Sequence, residues 1–429
     1  MSNRYQKSNE MFQEVKEIIP LATQTFSKSY LQYIRGEAPL FVTHAKGSRV
    51  WDVDGNEYID FVSGLLTTFL GYCYPAVDNA IIAQLKKGIT PSLPSVLEAE
   101  LAKKLIEIIP CAEMVRFGKN GSDVTTGAIR VARAVTGKED VVACGYHGWH
   151  DWYIGSTTRH LGVPESTRAL THKFIYNDID SLKNILEAHT GEVAAVIMEP
   201  MNYQEPADGF LQQVKDLTHK HGALLIFDEV ITGFRFGLGG AQGLFGVTPD
   251  LATFGKSMAN GMPISALVGK KEYMDIVSDI FYSFTYAGET LSIAAALATI
   301  QEIEEKNVVG YIEEKGTYLK EQTIALTHKH GLEKIITIQG RPFWSIFFVG
   351  DDGSVTGLEI KSYIQQELLR RGFLWYGQHN MSFSHAQEDI DALLGAYDEV
   401  FALTRKHLDS VTLKDALEGT PITDIFKVR

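Results

Sequence analysis

An apolar run, Leu225-Ile226-Phe227, ends in the pair Asp228-Glu229. A carboxylate at the end of a core strand is costly unless a cation meets it, so Asp228 calls for a positively charged partner in a pocket. Taken alone, it also reads as a strand-end acid that caps a loop. Lys256 closes a second apolar run, Asp250-Leu-Ala-Thr-Phe-Gly255-Lys256-Ser257, 28 residues further on. A lysine held in a desolvated pocket gives up its proton readily and can condense with an aldehyde as a Schiff base. In Arg116-Phe-Gly-Lys-Asn120-Gly121-Ser122-Asp123 a strand turns into a helix. Free amides at that helix start, with the Ser122 hydroxyl, make a cradle for a phosphate. The same residues also read as a plain N-cap by Ser122 or Asp123. Tyr146-His147-Gly148-Trp149-His150 follows a run ending at Cys144. The Tyr146 ring can stack on a planar ligand. His147 and His150, with Asp151, also read as a metal pair that lacks a fourth group.

Taken together, these residues describe a flat, phosphorylated, aldehyde-bearing ring with a basic nitrogen. Asp228 keeps the ring nitrogen protonated, Tyr146 covers one face, and Val230 packs the other. Gly121 and Ser122 hold the phosphate, and Lys256 carries the aldehyde as an imine. Pyridoxal 5′-phosphate, acting as an electron sink, meets that description. Two competing nucleotide readings fail on spacing. Gly255-Lys256-Ser257 has Asp250 where a phosphate loop needs its first glycine, and no G-x-G-x-x-G turn follows a first strand.

The elements that must position these residues alternate. Met114–Phe117, Val141–Cys144, Ala194–Glu199 and Ala223–Phe227 read as buried strands. Val124–Val135, Asp180–Ala188 and Leu211–His221 show helical spacing between them. The order predicts an α/β fold, a mostly parallel sheet between helices, with ligands at the carboxyl ends of its strands. Three parts are expected. Residues 1–65 form an N-terminal segment whose Asp52-Val-Asp-Gly55-Asn56 turn makes a β-hairpin, residues 66–310 a large cofactor-binding domain, and residues 311–429 a C-terminal α+β domain. In the last, Tyr311–His330 and Glu359–Arg371 read as helices, and Phe343–Val349 and Phe373–Tyr376 as strands. The small lobe is thus drawn from both chain ends.

The chain resembles the class III pyridoxal-phosphate aminotransferases, and within them the glutamate-1-semialdehyde aminomutase branch. The resemblance runs from Gly47-Ser-Arg-Val-Trp-Asp-Val-Asp-Gly55-Asn56 to the C-terminal lobe. It is most specific in Asp228-Glu-Val-Ile-Thr-Gly233-Phe-Arg235, with Pro249-Asp250 and Gly255-Lys256 at the family's spacing. It implies fold type I and a homodimer with shared active sites. Lys256 matches the Schiff-base lysine that also shuttles the substrate proton, and Asp228 the pyridinium partner. Asn120-Gly121-Ser122 stands where the family more often has Ser-Gly-Thr. Tyr146 matches the stacking aromatic, followed by His147-Gly148. Thr285, in Phe284-Thr-Tyr-Ala-Gly288, matches a threonine that reaches the neighbouring subunit's phosphate. His147 and Glu199 are counted with the cofactor-binding set, and pyridoxamine phosphate is the cofactor's other form.

Two departures bear on substrate. Tyr30 occupies the place of an arginine that holds the substrate carboxylate in the aminomutase. Trp375-Tyr376-Gly377-Gln378-His379-Asn380 offers none of that branch's pocket glutamate. Losing a bidentate carboxylate clamp changes substrate choice, and Tyr376, Gln378, His379 and Asn380 suit a hydroxyl-rich partner. The expectation is an aminotransferase that moves an amino group from an amino acid to a carbonyl acceptor, sugar-like or polyol-like. The alternative is the intramolecular aminomutase. The 429 residues carry 40 Lys and Arg against 53 Asp and Glu, a net charge of −13, which repels nucleic acid and anionic lipid. Three scattered cysteines, Cys73, Cys111 and Cys144, read as buried apolar filler. The polar N-terminus and the lack of a long apolar stretch predict a cytoplasmic protein.

Overall fold

The computed structural model describes residues 3–423. The described chain separates into two units, one formed by residues 3–74 and 310–423, the other by residues 75–309.

The unit drawn from the two chain ends carries two small sheets. In the first, β1 (Val42–Lys46), β2 (Arg49–Asp52) and β3 (Glu57–Asp60) form an antiparallel meander. The expected hairpin is there, with Arg49 opposite Ile59. Its turn is closed by Asp52, whose carboxylate accepts from the Asn56 backbone N–H at 2.8 Å and from Tyr58 Oη at 2.9 Å. The central unit then supplies β4 to β10, and the second small sheet is β11 (Ile336–Arg341), β12 (Trp344–Val349) and β14 (Gln378–Asn380). The strand expected over Phe373–Tyr376 shortens to β13 (Phe373–Leu374), which runs parallel to β3. Trp375 turns inward and is fully buried, and Gly377 at φ 101° ends the extended run. The helices expected over Tyr311–His330 and Glu359–Arg371 form as Val308–Lys329 and Gly357–Arg370. The second begins with a Thr356/Glu359 capping box.

The central unit is a seven-stranded sheet: β4 (Met114–Gly118), β10 (Ser265–Gly269), β9 (Leu251–Phe254), β8 (Leu224–Glu229), β7 (Val193–Met198), β5 (Asp140–Cys144) and β6 (Thr171–Lys173), in that spatial order. Strands β7, β8 and β9 are buried along their whole length, as expected of apolar runs covered on both faces. β9, β8, β7, β5 and β6 pair in parallel. β10 alone runs against its neighbours β4 and β9. The reason is local. Long helices such as Gly121–Thr136 and Phe210–Lys220 return the chain between parallel strands, whereas β9 and β10 are joined by residues 255–264 with only a short 3₁₀ turn. A short link can only make an antiparallel neighbour.

The expectation that all three cysteines are buried is corrected at Cys73, which is exposed; Cys111 and Cys144 are buried. Burial pushes the Cys144 thiol up to about 12, so it stays protonated. No helix among the described residues is long and apolar enough to cross a membrane.

Candidate active site

Most of the expected residues come together because the parallel strands release them at one end of the sheet. Asp228 stands near the end of β8, and Tyr146 and His147 follow β5. Glu199 follows β7, Asn120 to Ser122 follow β4, and Lys256 follows β9.

Asp228 is buried, and its carboxylate is held from three sides. His147 Nδ1 lies 2.8 Å from Oδ2. Thr253 Oγ1 and the Val230 backbone N–H each lie 3.1 Å from Oδ1. A carboxylate accepts only, so His147 donates from Nδ1, which fixes its tautomer. Roughly four lone-pair positions serve a carboxylate; three are filled here, and one remains for an N–H on a ligand. His147 is itself buried, stacked near Trp152 (centroids 6.3 Å, planes 12° apart) and edge-on to Tyr153. Its Nε2 has no hydrogen-bond partner among the described residues.

Thr253 was not foreseen. It pairs with Asp228 in the register of β8 and β9, which also places Phe254 beside Glu229. Lys256 therefore leaves the sheet two residues past a strand that flanks Asp228. Its backbone sits at φ 44°, a left-handed conformation rare for a side-chain-bearing residue and common at functional turns. The second carboxylate of the pair, Glu229, serves structure. It is fully buried and accepts from the Ala241 and Gln242 backbone N–H groups, the Gln242 side chain and Thr232 Oγ1. Burial raises its pKa despite these bonds. Arg235, in the same motif, is also fully buried, and burial pulls its guanidinium down to about 9.

The turn at residues 120–122 starts the helix Gly121–Thr136, with Asn120 rather than Ser122 or Asp123 as its N-cap residue. Asp123, at the third helical position, reaches back to the backbone N–H groups of Lys119 (3.0 Å) and Asn120 (2.7 Å). That leaves the N–H groups of Gly121 and Ser122 unclaimed within the described residues, at the start of a 16-residue helix. Ser122 Oγ accepts from the Trp149 backbone N–H at 3.2 Å, and its own proton remains to be donated. Ser265 Oγ, at the start of β10, holds the Asn120 carbonyl at 2.8 Å and fixes the turn. Val230 packs over the turn, so a Cβ at Gly121 would meet Val230 Cγ1 at 3.0 Å.

The loop after β5 approaches closely. Gly148, at φ 103°, has no room for a side chain, because a Cβ there would collide with Ser122 Oγ. Tyr146 keeps its ring partly exposed, edge-on to Tyr153 at 5.7 Å. Its backbone N–H is held by Glu199 Oε2 at 3.2 Å. Glu199 thus touches the loop that carries the aromatic. His150, read with His147 as a metal pair, bonds Thr126 Oγ1 instead, at 2.7 Å.

These donors fit pyridoxal phosphate: a buried carboxylate with one acceptor position left, open amides and a hydroxyl at a helix start, an accessible aromatic and a strand-end lysine. Thr285 is not among them. It is exposed in a groove of about 710 Å³ lined also by Pro91, Leu93, Glu98, Arg116 and Phe284. No hydrogen bond joins it to Asp228, His147 or Ser122.

The residues expected to greet a hydroxyl-rich substrate need a correction. His379 and Asn380 are fully buried within their own unit. His379 bonds Ser345 Oγ (3.1 Å) and Tyr397 Oη (2.7 Å), and Asn380 bonds the Val62 carbonyl (2.9 Å). Burial, with nearby His385, lowers the His379 pKa to about 3. Only Tyr376 and Gln378 keep partial exposure. Tyr30 is half-buried against Phe12, with ring centroids 4.8 Å apart.

Comparison with known proteins agrees with this geometry. The model of the family "Aminotransferase class-III" matches residues 32–374. A 3-aminobutyryl-CoA aminotransferase of Cloacimonas acidaminovorans is 38% identical over 412 residues, 94% of this chain and 98% of its own. A glutamate-1-semialdehyde 2,1-aminomutase of Desulforamulus reducens is 35% identical over 435 residues, 95% of this chain and all of its own. Among solved structures, the FumI protein of Sphingopyxis sp. MTA144, in its PLP internal aldimine form, superposes with a TM-score of 0.86. It is 29% identical and covers 98% of this chain and 99% of its own.

Proposed function

This chain belongs to the class III aminotransferases, and from that premise we propose that it moves an amino group from an amino acid donor to a separate carbonyl acceptor, using pyridoxal 5′-phosphate. The observation that carries the reading is the buried Asp228 carboxylate, held by His147, Thr253 and the Val230 N–H, with one acceptor position left and Lys256 leaving the neighbouring strand.

When bound, the cofactor supplies an electron-poor ring that takes up the electron pair left when a substrate carbon loses its proton. Asp228 holds a proton on the ring nitrogen by charge pairing. His147 and Thr253 fix the carboxylate that does so. The Gly121 and Ser122 amides and the Ser122 hydroxyl hold the phosphate, with the Asn120 carbonyl pinned by Ser265 to shape the turn. Tyr146 covers one ring face and Val230 the other. Glu199 positions Tyr146 through its backbone. Lys256 Nζ would hold the aldehyde carbon, and the same nitrogen, when free, would be the base that carries the substrate proton. Donor and acceptor use the site in turn, a ping-pong order.

The acceptor we propose is a 3-oxoacyl compound without a free carboxylate beside its carbonyl. The hydroxyl-rich acceptor loses two of its four supporting side chains, because His379 and Asn380 are buried. A thioester also needs no arginine clamp, consistent with Tyr30, and the 38% identical relative is named for a 3-aminoacyl thioester. The second reading is the aminomutase, supported by the 35% identity to a full-length protein of that name. We also propose a homodimer, with Thr285 reaching the partner's phosphate turn from its exposed groove.

The deciding experiment follows the violet-region absorption of the cofactor-loaded protein. Bleaching by L-glutamate, with recovery on adding 3-oxobutyryl-CoA, supports the proposal. Recovery with a keto-sugar alone returns the hydroxyl-rich acceptor. Turnover of glutamate 1-semialdehyde without any donor, together with indifference to glutamate, makes the chain an aminomutase.

A further inference from the structure

Away from the strand ends that hold the site, Asp140 opens β5, His172 lies in the outermost strand β6, and His189 caps the helix Ile179–Ala188. Both imidazoles aim at one carboxylate oxygen. His172 Nε2 is 2.9 Å from Asp140 Oδ2, and His189 Nδ1 is 3.1 Å from the same atom. The three ligand atoms lie within 4.8 Å of one another, and the two rings are 3.9 Å apart. Glu192, on the link to β7, reaches His189 Nδ1 at 3.1 Å.

We propose that Asp140, His172 and His189 bind a divalent transition-metal ion of the zinc class. Nitrogen and oxygen ligands at about 2.0–2.2 Å from such an ion stand roughly 3–3.5 Å from each other. The His189–Asp140 separation of 3.1 Å falls in that range, and the His172–Asp140 separation of 2.9 Å lies just below it. A dication also suits the charge, since Asp140 and Glu192 bring two carboxylates to the two imidazoles. Imidazole with carboxylate is a donor set that selects zinc-like ions over calcium or magnesium. Asp140 is largely buried and His172 and His189 are partly exposed, so the ligands are preset while an ion can enter from solvent. The exposed Glu192 side chain supplies a fourth ligand by rotation, and water the remainder. The site would clasp the edge strand β6, the start of β5 and the end of one helix, where β6 pairs with β5 through three residues. Its role is to fix the sheet edge, not to take part in amino transfer.

The test uses the cofactor-loaded protein stripped of metal by a chelator and titrated with ZnCl₂ in a calorimeter. One ion per chain is expected, with affinity at least tenfold weaker in His172→Gln and in His189→Gln. Added zinc should raise the melting temperature of the parent by several degrees, leave the double variant unmoved, and leave amino transfer unchanged in all. For a readout that needs no variant, the electron paramagnetic resonance spectrum of the Cu(II)-loaded parent should show coupling to two imidazole nitrogens. Lack of stoichiometric binding, binding that survives in the double variant, or coupling to fewer than two nitrogens overturns the proposal. The cluster is then a hydrogen-bonded clasp only.

Discussion

His147 Nδ1 donates to Asp228 Oδ2 across 2.8 Å, and both side chains are withdrawn from solvent. A histidine after β5 is thereby tied to an acid on β8, with β7 standing between those strands in the sheet. The pair sets which way the carboxylate faces and which histidine nitrogen carries the proton.

Asp228→Asn keeps the shape but loses the charge, and its amide can turn an N–H toward His147. A fall of at least 100-fold in kcat is expected, about 2.7 kcal/mol of transition-state stabilisation. His147→Ala, which frees the carboxylate without removing it, should cost about tenfold, roughly 1.4 kcal/mol. Steady-state rates check both; an Asp228 variant within threefold of the parent refutes its role.

Lys256→Ala should abolish turnover while leaving the fold intact. Borohydride reduction of the parent followed by peptide mass analysis should place the cofactor mass on Lys256. An adduct on another lysine, such as Lys119, which is paired with Glu289 at 3.1 Å, would show that the anchor was misassigned.

Gly148→Ala places a methyl group against Ser122 Oγ in a backbone conformation at φ 103° that favours glycine. Ser122 must shift, and the phosphate cradle with it. Cofactor affinity, followed by fluorescence titration, should weaken at least tenfold. An unchanged affinity would remove Ser122 from the cradle.

Asp250 gives a stability signature in acid. Burial works to raise its pKa, but hydrogen bonds from Lys270 (2.8 Å), the Leu225 N–H (2.8 Å) and His219 (2.7 Å) hold it below the usual 3.8. A carboxylate with a lowered folded-state pKa adds stability that is complete above the unfolded value. That stability is lost as pH falls through the folded value. Asp250→Asn should lower stability at pH 7 by about 1–3 kcal/mol, and the gap from the parent should close below about pH 4. Urea midpoints from pH 3 to 7 measure it, and a pH-independent gap would contradict the assignment.

The sequence alone determined the runs of residues. Apolar stretches ending in Asp228, Cys144 and Phe254 read as buried strands, because they are too short for a buried helix and are bounded by turn residues. Lys256 and Asp228 were visible as costly groups at the ends of such strands. Asn120 to Ser122 were visible because small polar residues before a helical period mark a helix start.

Only the tertiary structure decided pairing. Thr253 meets Asp228 through strand register, which local composition does not encode. β10 runs against its neighbours because a short link leaves the chain no room to return. His379 and Asn380 look like pocket residues in a polar string, yet their bonds to Tyr397 and Val62 bury them. Exposure runs the other way at Cys73. Asp140, His172 and His189 are scattered along the chain, and they converge because β5, β6 and the helix between β6 and β7 bring three distant residues to one sheet edge. Contiguous burial is a property of neighbours in sequence. Which polar group meets which is a property of neighbours in space, fixed when strands choose their partners.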